Sequence, residues 1–236
     1  MKHGLRMTTR PFFQPKSEFP FYSQHNIAFN YTQGQDRETS QINISSMHSA
    51  ITKVVPYAKI LDISTMSNSH LGNSLSAFNL KLYKDDKSTT VESTYQASKV
   101  FSDGGPFTDL VFSESSRSKK DERLVTSGAL SHFQYQNTSW PLVPNPNFYD
   151  YLYISALIEN MDLENLLFFN TFTDFAFNPS KSKSVPRSIN CQARSAAIFI
   201  GMKAQIPTGE ILALIKEFAR DPSRSRAVIE PTLFDH

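Results

Sequence analysis

The stretch from Phe148 to Ile158 constrains the fold of this chain most, because it is apolar on nearly every face of a helix. A helix without a polar face must be surrounded by other elements, so it belongs in the core. The chain has 236 residues, of which 39% are hydrophobic, which suffices for one well-filled core but not for two large domains. We therefore expect one domain with this helix in its interior.

The chain divides into three predicted regions. Residues 1–44 are polar but carry many aromatic side chains, which is typical of an extended segment that packs its rings onto a body formed by the rest. Residues 45–220 form that body, and residues 221–236 form a tail. The 19 Phe and 9 Tyr against 8 Gly indicate an interior packed with aromatic rings.

Local patterns predict several elements of the body. A helix that opens at Ser45 must end before Pro56, because proline disfavours helical geometry at the residue before it. The segment Tyr57–Ser64 alternates apolar and polar side chains, which predicts a half-buried strand. Thr208–Ala219 has the apolar spacing of an amphipathic closing helix.

The segment Thr89–Phe101 is predicted to be a short helix that carries an acid and a base. Glu92 and Lys99 are nearly two helical turns apart, so their side chains point the same way from backbone positions about 10 Å apart. Gln96 lies between them on the same stripe. This spacing allows a carboxylate and an amine to reach a common point.

Two purely structural alternatives explain the same spacing. Thr89 and Glu92 fit the pattern of a capping box, in which the glutamate folds back onto the first turn of the helix. The polar row, which continues to Asp103, also fits an ordinary solvated helix face. Spacing alone leaves these alternatives open.

A buried acid and an anion site are predicted further along the chain. Asp174 is flanked by aromatic residues, so it is either a buried acid with a function or a turn former. A helix from Asn190 to Ile200, capped by Ser188 or Asn190, would offer free N–H groups beside Arg194 to an anion. The alternative is a capped core helix with Arg194 on the protein surface.

The charge of the chain gives only weak evidence for a nucleic-acid partner. The formal net charge of +2 is too small by itself, because attraction to phosphates needs a concentrated basic patch. Basic residues do cluster within Arg117–Arg123, Lys181–Arg194 and Arg220–Arg226. Each cluster fits either nucleic-acid contact or a solvated surface.

The chain lacks the sequence signs of a metal site, a cofactor or a membrane span. Its 6 His and single Cys offer no His-x-x-x-His or Cys-x-x-Cys spacing, so we expect no metal and no cofactor. Cys191 cannot form an internal disulfide, which fits a reducing cytoplasm. No run of 18 apolar residues and no secretory signal occur, so we expect a cytoplasmic protein without membrane contact.

The motif Val91-Glu92-x-x-Tyr95-Gln96-x-x-Lys99 resembles the signature helix of the NADAR family, whose members cleave N-glycosidic bonds to ribose. Across residues 27–215, the order of motifs is similar to that of NADAR antitoxins that are paired with DarT-type toxins. These toxins are the transferases that attach ADP-ribose to guanine in DNA. These motifs include Leu-Ser-x-Phe-Asn, Gly-Gly-Pro-Phe-x-Asp-Leu, Lys-x-Asp-x-Arg, Phe-Tyr-Asp-Tyr-Leu-Tyr and Asn-Cys-Gln-Ala-Arg-Ser. The chain departs from the general family, because Phe-Thr-Asp-Phe-Ala-Phe-Asn-Pro stands where other members carry Glu…Asp-x-x-Trp-Gly.

The resemblance implies a mainly α fold with a small β-sheet, an α+β arrangement of the NADAR-like N-glycosidase type. The implied catalytic residues are Glu92, Lys99 and Asp174. Glu92 would stabilise an oxocarbenium-like transition state or shuttle a proton, and Lys99 would either attack the sugar and hold it as a Schiff base or stay charged and only bind it. The residues implied to bind ADP-ribose are Ser76, Phe78, Asn79, Tyr95, Gln96, Asn178, Asn190, Gln192 and Arg194.

Three functions fit these expectations. The first is an antitoxin that hydrolyses ADP-ribose from guanine in DNA, with ADP-ribosylated DNA and a DarT-type toxin as partners. Its nucleic-acid strand would approach along Lys119, Lys120, Arg123 and Arg187. The second keeps the chemistry but acts on a small phosphorylated metabolite, as in relatives linked to riboflavin-pathway intermediates. The third is a non-catalytic module that binds ADP-ribose or the toxin itself.

Overall fold

The computed structural model of the protein describes residues 5–34, 36–84, 86–142, 148–160, 163–177 and 191–221. Asn178, Arg187 and Asn190, which were predicted to bind ligand or nucleic acid, lie outside these ranges, as does most of the predicted tail. The described strands are β1 (Leu5–Pro15), β2 (Tyr22–Thr32), β3 (Ile60–Asp62), β4 (Lys81–Lys84), β5 (Lys87–Thr90), β6 (Lys99–Phe101), β7 (Leu130–Tyr135), β8 (Thr138–Trp140) and β9 (Thr171–Thr173). The described helices are α1 (Arg37–Val54), α2 (His70–Ser74), α3 (Val91–Ala97), α4 (Ser115–Lys119), α5 (Arg123–Thr126), α6 (Phe148–Glu159), α7 (Leu163–Leu166), α8 (Gln192–Lys203) and α9 (Thr208–Arg220), with a 3-10 helix at Thr108–Phe112.

The start of the chain forms a long antiparallel hairpin of β1 and β2. β1 also borders β9, and β9 runs parallel to β3, so the sheet has the order β2-β1-β9-β3. Phe12 and Phe29 of the hairpin pack against α1, whereas Phe13 enters the main core. The aromatic rings of this segment therefore do pack onto the rest of the protein, and they do so from paired strands that local sequence patterns had not indicated.

The first helix begins at Arg37, upstream of the predicted start at Ser45. Asp36 caps it, because its side chain accepts a hydrogen bond from the backbone N–H of Thr39 at 2.8 Å. The prediction was wrong because polar residues on the buried face hide the first turns of the helix. Asn43, for example, is 1% exposed and bonds to the backbone of β2.

The strand predicted for Tyr57–Ser64 is shorter in the structure, where only β3 pairs with a neighbouring strand. The end of α1 before Pro56 is confirmed. Alternation of apolar and polar residues therefore located this strand correctly but overestimated its length.

The apolar helix α6 lies in the core, as predicted. Every side chain from Phe148 to Leu157 is buried, and the helix packs against α3, α8 and α9. The rings of Tyr95, Phe133 and Trp140 lie 5.0 to 6.2 Å from the ring of Phe148, centroid to centroid. The interior is thus packed with aromatic rings, as the composition indicates.

The fold class is α+β, as the resemblance implies. The described strands form a four-stranded sheet, a three-stranded sheet of order β6-β7-β8 and a two-stranded sheet of β4 and β5. The β content is therefore larger than the single small sheet that was expected. Much of the difference comes from the first hairpin, whose long-range pairing with β9 is not encoded in any local pattern.

α8 and α9 follow the sheet strand β9 in the chain. α9 has the predicted amphipathic pattern, with Ile211, Ile215 and Phe218 buried. Within the described ranges, no single helix is long and apolar enough to span a membrane, and α8 with α9 meets that requirement only when the two are taken together across a bend of 120°.

Candidate active site

The helix predicted for Thr89–Phe101 is shorter than expected. α3 ends at Ala97, and the chain then enters β6 at Lys99, which pairs with β7. The hydroxyl of Ser98 donates to a backbone carbonyl of the last helical turn at 2.8 Å, which helps to end the helix. Glu92 and Lys99 therefore do not share a helix face, and the prediction of one continuous polar stripe was wrong.

Thr90 caps α3, and the predicted capping box with Thr89 does not form. The hydroxyl of Thr90 accepts a hydrogen bond from the backbone N–H of Ser93 at 3.1 Å. Thr89 instead donates to the backbone carbonyl of Val111. The capping box of Thr89 and Glu92 was therefore wrong, because the cap lies one residue later in the chain, at Thr90.

Glu92 is only 6% exposed although it carries a carboxylate. Gln96 donates from Nε2 to its Oε1 at 2.9 Å, and Nζ of Lys119 lies 3.9 Å from the same oxygen. A buried carboxylate loses its hydration, so partners of this kind are needed to hold it. The alternative of a solvated helix face is wrong, because both Glu92 and Gln96 are buried.

Lys99 comes near Glu92 through β6 rather than through the helix. Its ammonium lies 5.1 Å from the ring centroid of Tyr95. Burial lowers the pKa of Lys99 to about 8, an effect that the carboxylate of Glu92 opposes and the ammonium of Lys119 reinforces. Near neutral pH a fraction of this lysine is therefore an uncharged amine, which is the nucleophilic form.

Tyr149 on α6 contacts a ring of α3 and interacts electrostatically with Asp174. Its ring meets the ring of Tyr95 edge-on, with 5.3 Å between centroids. Burial raises the pKa of Tyr149 well above its usual value, and the carboxylates of Glu92 and Asp174 add to the effect. Tyr149 thus lies within electrostatic reach of two predicted catalytic acids, although its place in an apolar helix gave no sign of this.

Asp174 is both a buried acid and a turn former. Its Oδ1 accepts a hydrogen bond from the backbone N–H of Phe177 at 3.2 Å. The pKa of Asp174 is raised to about 7, mainly by burial and also by the nearby carboxylate of Asp62, while a hydrogen bond from Gln192 opposes the rise. The carboxyl group is therefore buried and also stabilises a turn, and a catalytic role of Asp174 stays a prediction.

Asp62 is a second buried acid, which the sequence patterns did not single out. It accepts hydrogen bonds from the hydroxyls of Ser64 at 2.6 Å and Thr173 at 2.9 Å, and from the backbone N–H of Phe175 at 3.1 Å. Burial raises the pKa of Asp62 to about 6. Its polar position in an alternating strand was a sign of solvent exposure, but β9 and the residues after it cover the side chain.

Gln192 is the first residue of α8, which starts after Cys191 rather than at Asn190 as predicted. Its Oε1 accepts a hydrogen bond from the backbone N–H of Ala77 at 2.6 Å, and its Nε2 donates to the carbonyl of Ile63 at 2.7 Å. The side chain therefore ties α8 to the residue that follows β3 and to the segment between α2 and β4. A role in binding ADP-ribose stays a prediction.

The other described residues of the predicted ADP-ribose site differ in burial. Ser76 and Gln96 are buried, and each has a side-chain oxygen without a hydrogen-bond partner among the described residues. Phe78 is half-buried, with Nζ of Lys119 5.0 Å from its ring centroid, and Asn79 is exposed. A buried oxygen ordinarily accepts at least one hydrogen bond, so each of these two oxygens could accept one from a hydroxyl group of a ligand.

Arg194 lies in the interior, and the alternative that placed it on the surface was wrong. It is 1% exposed, and its Nη2 donates to both carboxylate oxygens of Asp150 at 2.9 and 3.1 Å. The hydroxyl of Ser195 donates to the same carboxylate at 2.7 Å. A role of Arg194 in binding pyrophosphate stays a prediction, but its charge is already paired within the protein.

The residues predicted to line the path of a nucleic acid have different surroundings. Lys119 lies beside the buried glutamate and belongs to the site itself, whereas Lys120 is exposed. Arg123 donates to the carboxylates of Asp109 and Asp121 over distances of 2.7 to 3.2 Å. The charge of Arg123 is therefore matched by two acids, and its role in binding a strand stays a prediction.

Comparison with known proteins identifies one family. A family model described as DarT1-associated NADAR antitoxin matches residues 8–227. The matched region includes nearly all of the first hairpin as well as α3, β6, β9 and α8, and all of the predicted catalytic residues lie within it. None of the curated proteins matches the chain.

Proposed function

The chain belongs to the family of DarT1-associated NADAR antitoxins, and we propose that it acts by hydrolysing the N-glycosidic bond between ADP-ribose and guanine in DNA. This reaction would reverse the modification made by a DarT-type toxin. The observation that supports it most is the pair formed by the buried Glu92 and the neighbouring Lys99, whose pKa is lowered to about 8.

Glu92 is suited to stabilise positive charge that develops on the ribose. Cleavage at C1″ passes through a transition state that resembles an oxocarbenium ion. Because the carboxylate is buried, its field on a nearby cation is stronger than it would be in water. The hydrogen bond from Gln96 at 2.9 Å fixes the orientation of the group.

Lys99 is suited to attack C1″ of the ribose. The lone pair of its uncharged amine would form a bond from Nζ to C1″, while the bond from C1″ to the exocyclic nitrogen of guanine breaks and that nitrogen takes a proton. Opening of the sugar ring then converts the adduct into a protonated Schiff base. Water adds to C1″, the amine of Lys99 leaves, and free ADP-ribose is released.

Asp174 is suited to give the proton to the departing guanine. With its pKa raised to about 7 by burial and by Asp62, a substantial fraction of the carboxyl groups keeps its proton at neutral pH. A protonated acid assists a poor leaving group, as the general acid of a glycosidase does. The charges of Asp174 and Glu92 both act on Tyr149, in each case raising its pKa.

The ADP-ribose is proposed to lie against Ser76, Phe78 and Gln96. The oxygens of Ser76 and Gln96 that have no partner among the described residues would accept hydrogen bonds from ribose hydroxyls. Phe78 offers a half-buried ring for an adenine or ribose face. These contacts would hold C1″ near the Glu92 and Lys99 pair.

The direct test is to measure, by mass spectrometry, free ADP-ribose released from ADP-ribosylated DNA. We expect release by the wild-type protein, and we expect borohydride added during turnover to increase the mass of the Lys99 peptide by one reduced ADP-ribose. Protein that binds the modified DNA but releases nothing would instead be a binding module. Release only from a small phosphorylated metabolite would make it a metabolite N-glycosidase.

A further inference from the structure

An open cleft lies next to the proposed active site. Its volume of about 470 Å³ falls within the range of roughly 300–1,000 Å³ that is usual for ligand sites. Glu92, Gln96 and Lys99 do not line it. Phe78 joins the cleft to the active site, because Nζ of Lys119 lies 5.0 Å from the Phe78 ring centroid and 3.9 Å from Glu92.

The lining of the cleft combines aromatic rings, ammonium groups and hydroxyls. Phe112 is 54% exposed, and Nζ of Lys87 lies 5.5 Å from its ring centroid. Lys81, Ser88 and Ser116 also line the cleft and are exposed. Aromatic faces stack on nucleobases, and lysines and hydroxyls bind phosphate oxygens. The cleft therefore offers both kinds of contact that a nucleic-acid strand requires.

The wall between the cleft and the active site is held by hydrogen bonds. The hydroxyl of Ser115 donates to the backbone carbonyl of Phe78 at 3.0 Å and lies 2.7 Å from the hydroxyl of Thr90. Thr90 caps the helix that carries Glu92. A strand bound in the cleft would thus have a fixed position relative to the reacting groups.

The balance of charged side chains favours this cleft, rather than the basic segment around Arg123, as the path of a nucleic-acid strand. At Arg123 two carboxylates, those of Asp109 and Asp121, offset one cation. The lining of the cleft contains Lys81 and one acid, Glu114, and the ammonium of Lys87 over the ring of Phe112 adds a further positive charge, whereas the ammonium of Lys119 over Phe78 is matched by Glu92. The local field of the cleft is therefore the more attractive one for phosphate.

We infer that this cleft binds the single-stranded stretch of nucleic acid next to the modified guanine, with a base stacked on Phe112 and a phosphate held by Lys81. Bases within a duplex are stacked on one another, so only an unpaired strand can present a base face to the ring. The identity of the substrate in this inference rests on the proposed function. The cleft itself can be tested without any catalysis.

The binding test uses a fluorescently labelled single-stranded oligodeoxynucleotide that carries no ADP-ribose. Phe112→Ala should raise the Kd about tenfold, because it removes one base-stacking surface. Lys81→Ser should reduce the slope of log K against log salt by about 0.7, which corresponds to one lost phosphate contact with a single strand.

Two matched controls exist outside the cleft. Phe168→Ala removes another exposed ring that faces a lysine, since Nζ of Lys59 lies 4.1 Å from its centroid. Lys53→Ser removes an exposed lysine in the last turn of α1. Wild-type protein that does not bind the strand, or controls that weaken binding as much as the cleft variants do, would overturn the inference.

A second measurement separates the cleft from the proposed hydrolysis. The ratio of kcat/KM on an ADP-ribosylated oligonucleotide to kcat/KM on ADP-ribosylated deoxyguanosine should fall about tenfold in Phe112→Ala. An unchanged ratio contradicts the inference. If the wild-type protein hydrolyses neither substrate while the binding results hold, the proposed function fails and the cleft stands.

Discussion

The ammonium of Lys119 lies 3.9 Å from Oε1 of Glu92, so a cation from α4 contacts the acid on α3. The same cation helps to lower the pKa of Lys99, on which burial has the larger effect. One side chain therefore contacts the buried acid and also favours the uncharged form of Lys99. A cation beside a nucleophilic lysine is a known way to keep its amine reactive.

Replacing Lys119 by Met should make Lys99 harder to deprotonate. In the proposed mechanism only the uncharged amine of Lys99 attacks, so the acid limb of the pH–rate profile depends on the pKa of Lys99, which is about 8 in the wild-type protein. In Lys119→Met this limb of the pH–rate profile should move upward by about half a pH unit or more. Lys120→Met, which removes the exposed neighbouring charge, is the control, and profiles that overlay for Lys119→Met and wild type would contradict the prediction.

Glu92→Gln should reduce kcat about a hundredfold or more while leaving the melting temperature unchanged. The structure sharpens this expectation, because Thr90 and not Glu92 caps α3. Thr90→Ala should show the opposite result, a loss of about 1 kcal/mol in the free energy of unfolding with turnover of ADP-ribosylated deoxyguanosine per folded molecule retained. Urea unfolding and single-turnover kinetics on both variants measure the two effects. If Glu92→Gln keeps full activity, the acid has no catalytic part.

The sequence was most informative where a side-chain pattern has a single physical solution. The all-round apolarity of Phe148–Ile158 left only the core for α6, and the structure confirms it. The pair of Glu92 and Lys99 was proposed from helical spacing, although α3 ends before Lys99. Glu92 is still close enough to raise the pKa of Lys99, but Lys99 lies in β6, whose pairing with β7 is a tertiary effect that spacing along the chain does not contain.

Contacts between distant segments account for most of what the sequence did not reveal. The burial of Asp62 depends on Thr173 and Phe175, which are 111 and 113 residues away in the chain. The first hairpin joins the main sheet only through β9. A polar residue such as Asn43 indicates a surface until its partners on another element are known.

Asp62→Asn should lower the pH at which activity is lost. The carboxylate of Asp62 helps to raise the pKa of Asp174, after burial itself, so removing that charge should lower the pKa of Asp174 from about 7. The protonated acid is then lost at lower pH, and the descending limb of the pH–rate profile should move toward acid. A limb that stays in place in Asp62→Asn, with the variant folded by circular dichroism, would show that Asp174 is not the proton donor.

Asp174→Asn should be inactive and yet more stable than the wild-type protein at pH 8. The folded-state pKa of Asp174 is raised from 3.8 to about 7, so the folded protein favours the protonated form and loses stability as pH rises between these values. At pH 8 the buried carboxylate is ionised and destabilises the fold by about 1.4 kcal/mol for each unit of that shift, as an upper bound. Urea unfolding at pH 8 and pH 4 checks this: the advantage of the variant should shrink at pH 4, and equal stability at both pH values would contradict it.

Arg194→Ala should destabilise the fold by about 3–5 kcal/mol, because it leaves the carboxylate of Asp150 buried without its counter-charge. The double variant Arg194→Met with Asp150→Leu removes both charges and should recover most of that loss, since a well-packed apolar pair often replaces a buried ion pair without cost. Urea unfolding of the single and double variants measures this coupling.

The folded double variant then decides the role of the arginine in binding. If calorimetry gives it the wild-type affinity for ADP-ribose, the ion pair is purely structural, whereas a Kd raised about tenfold or more supports the predicted contact of Arg194 with the pyrophosphate.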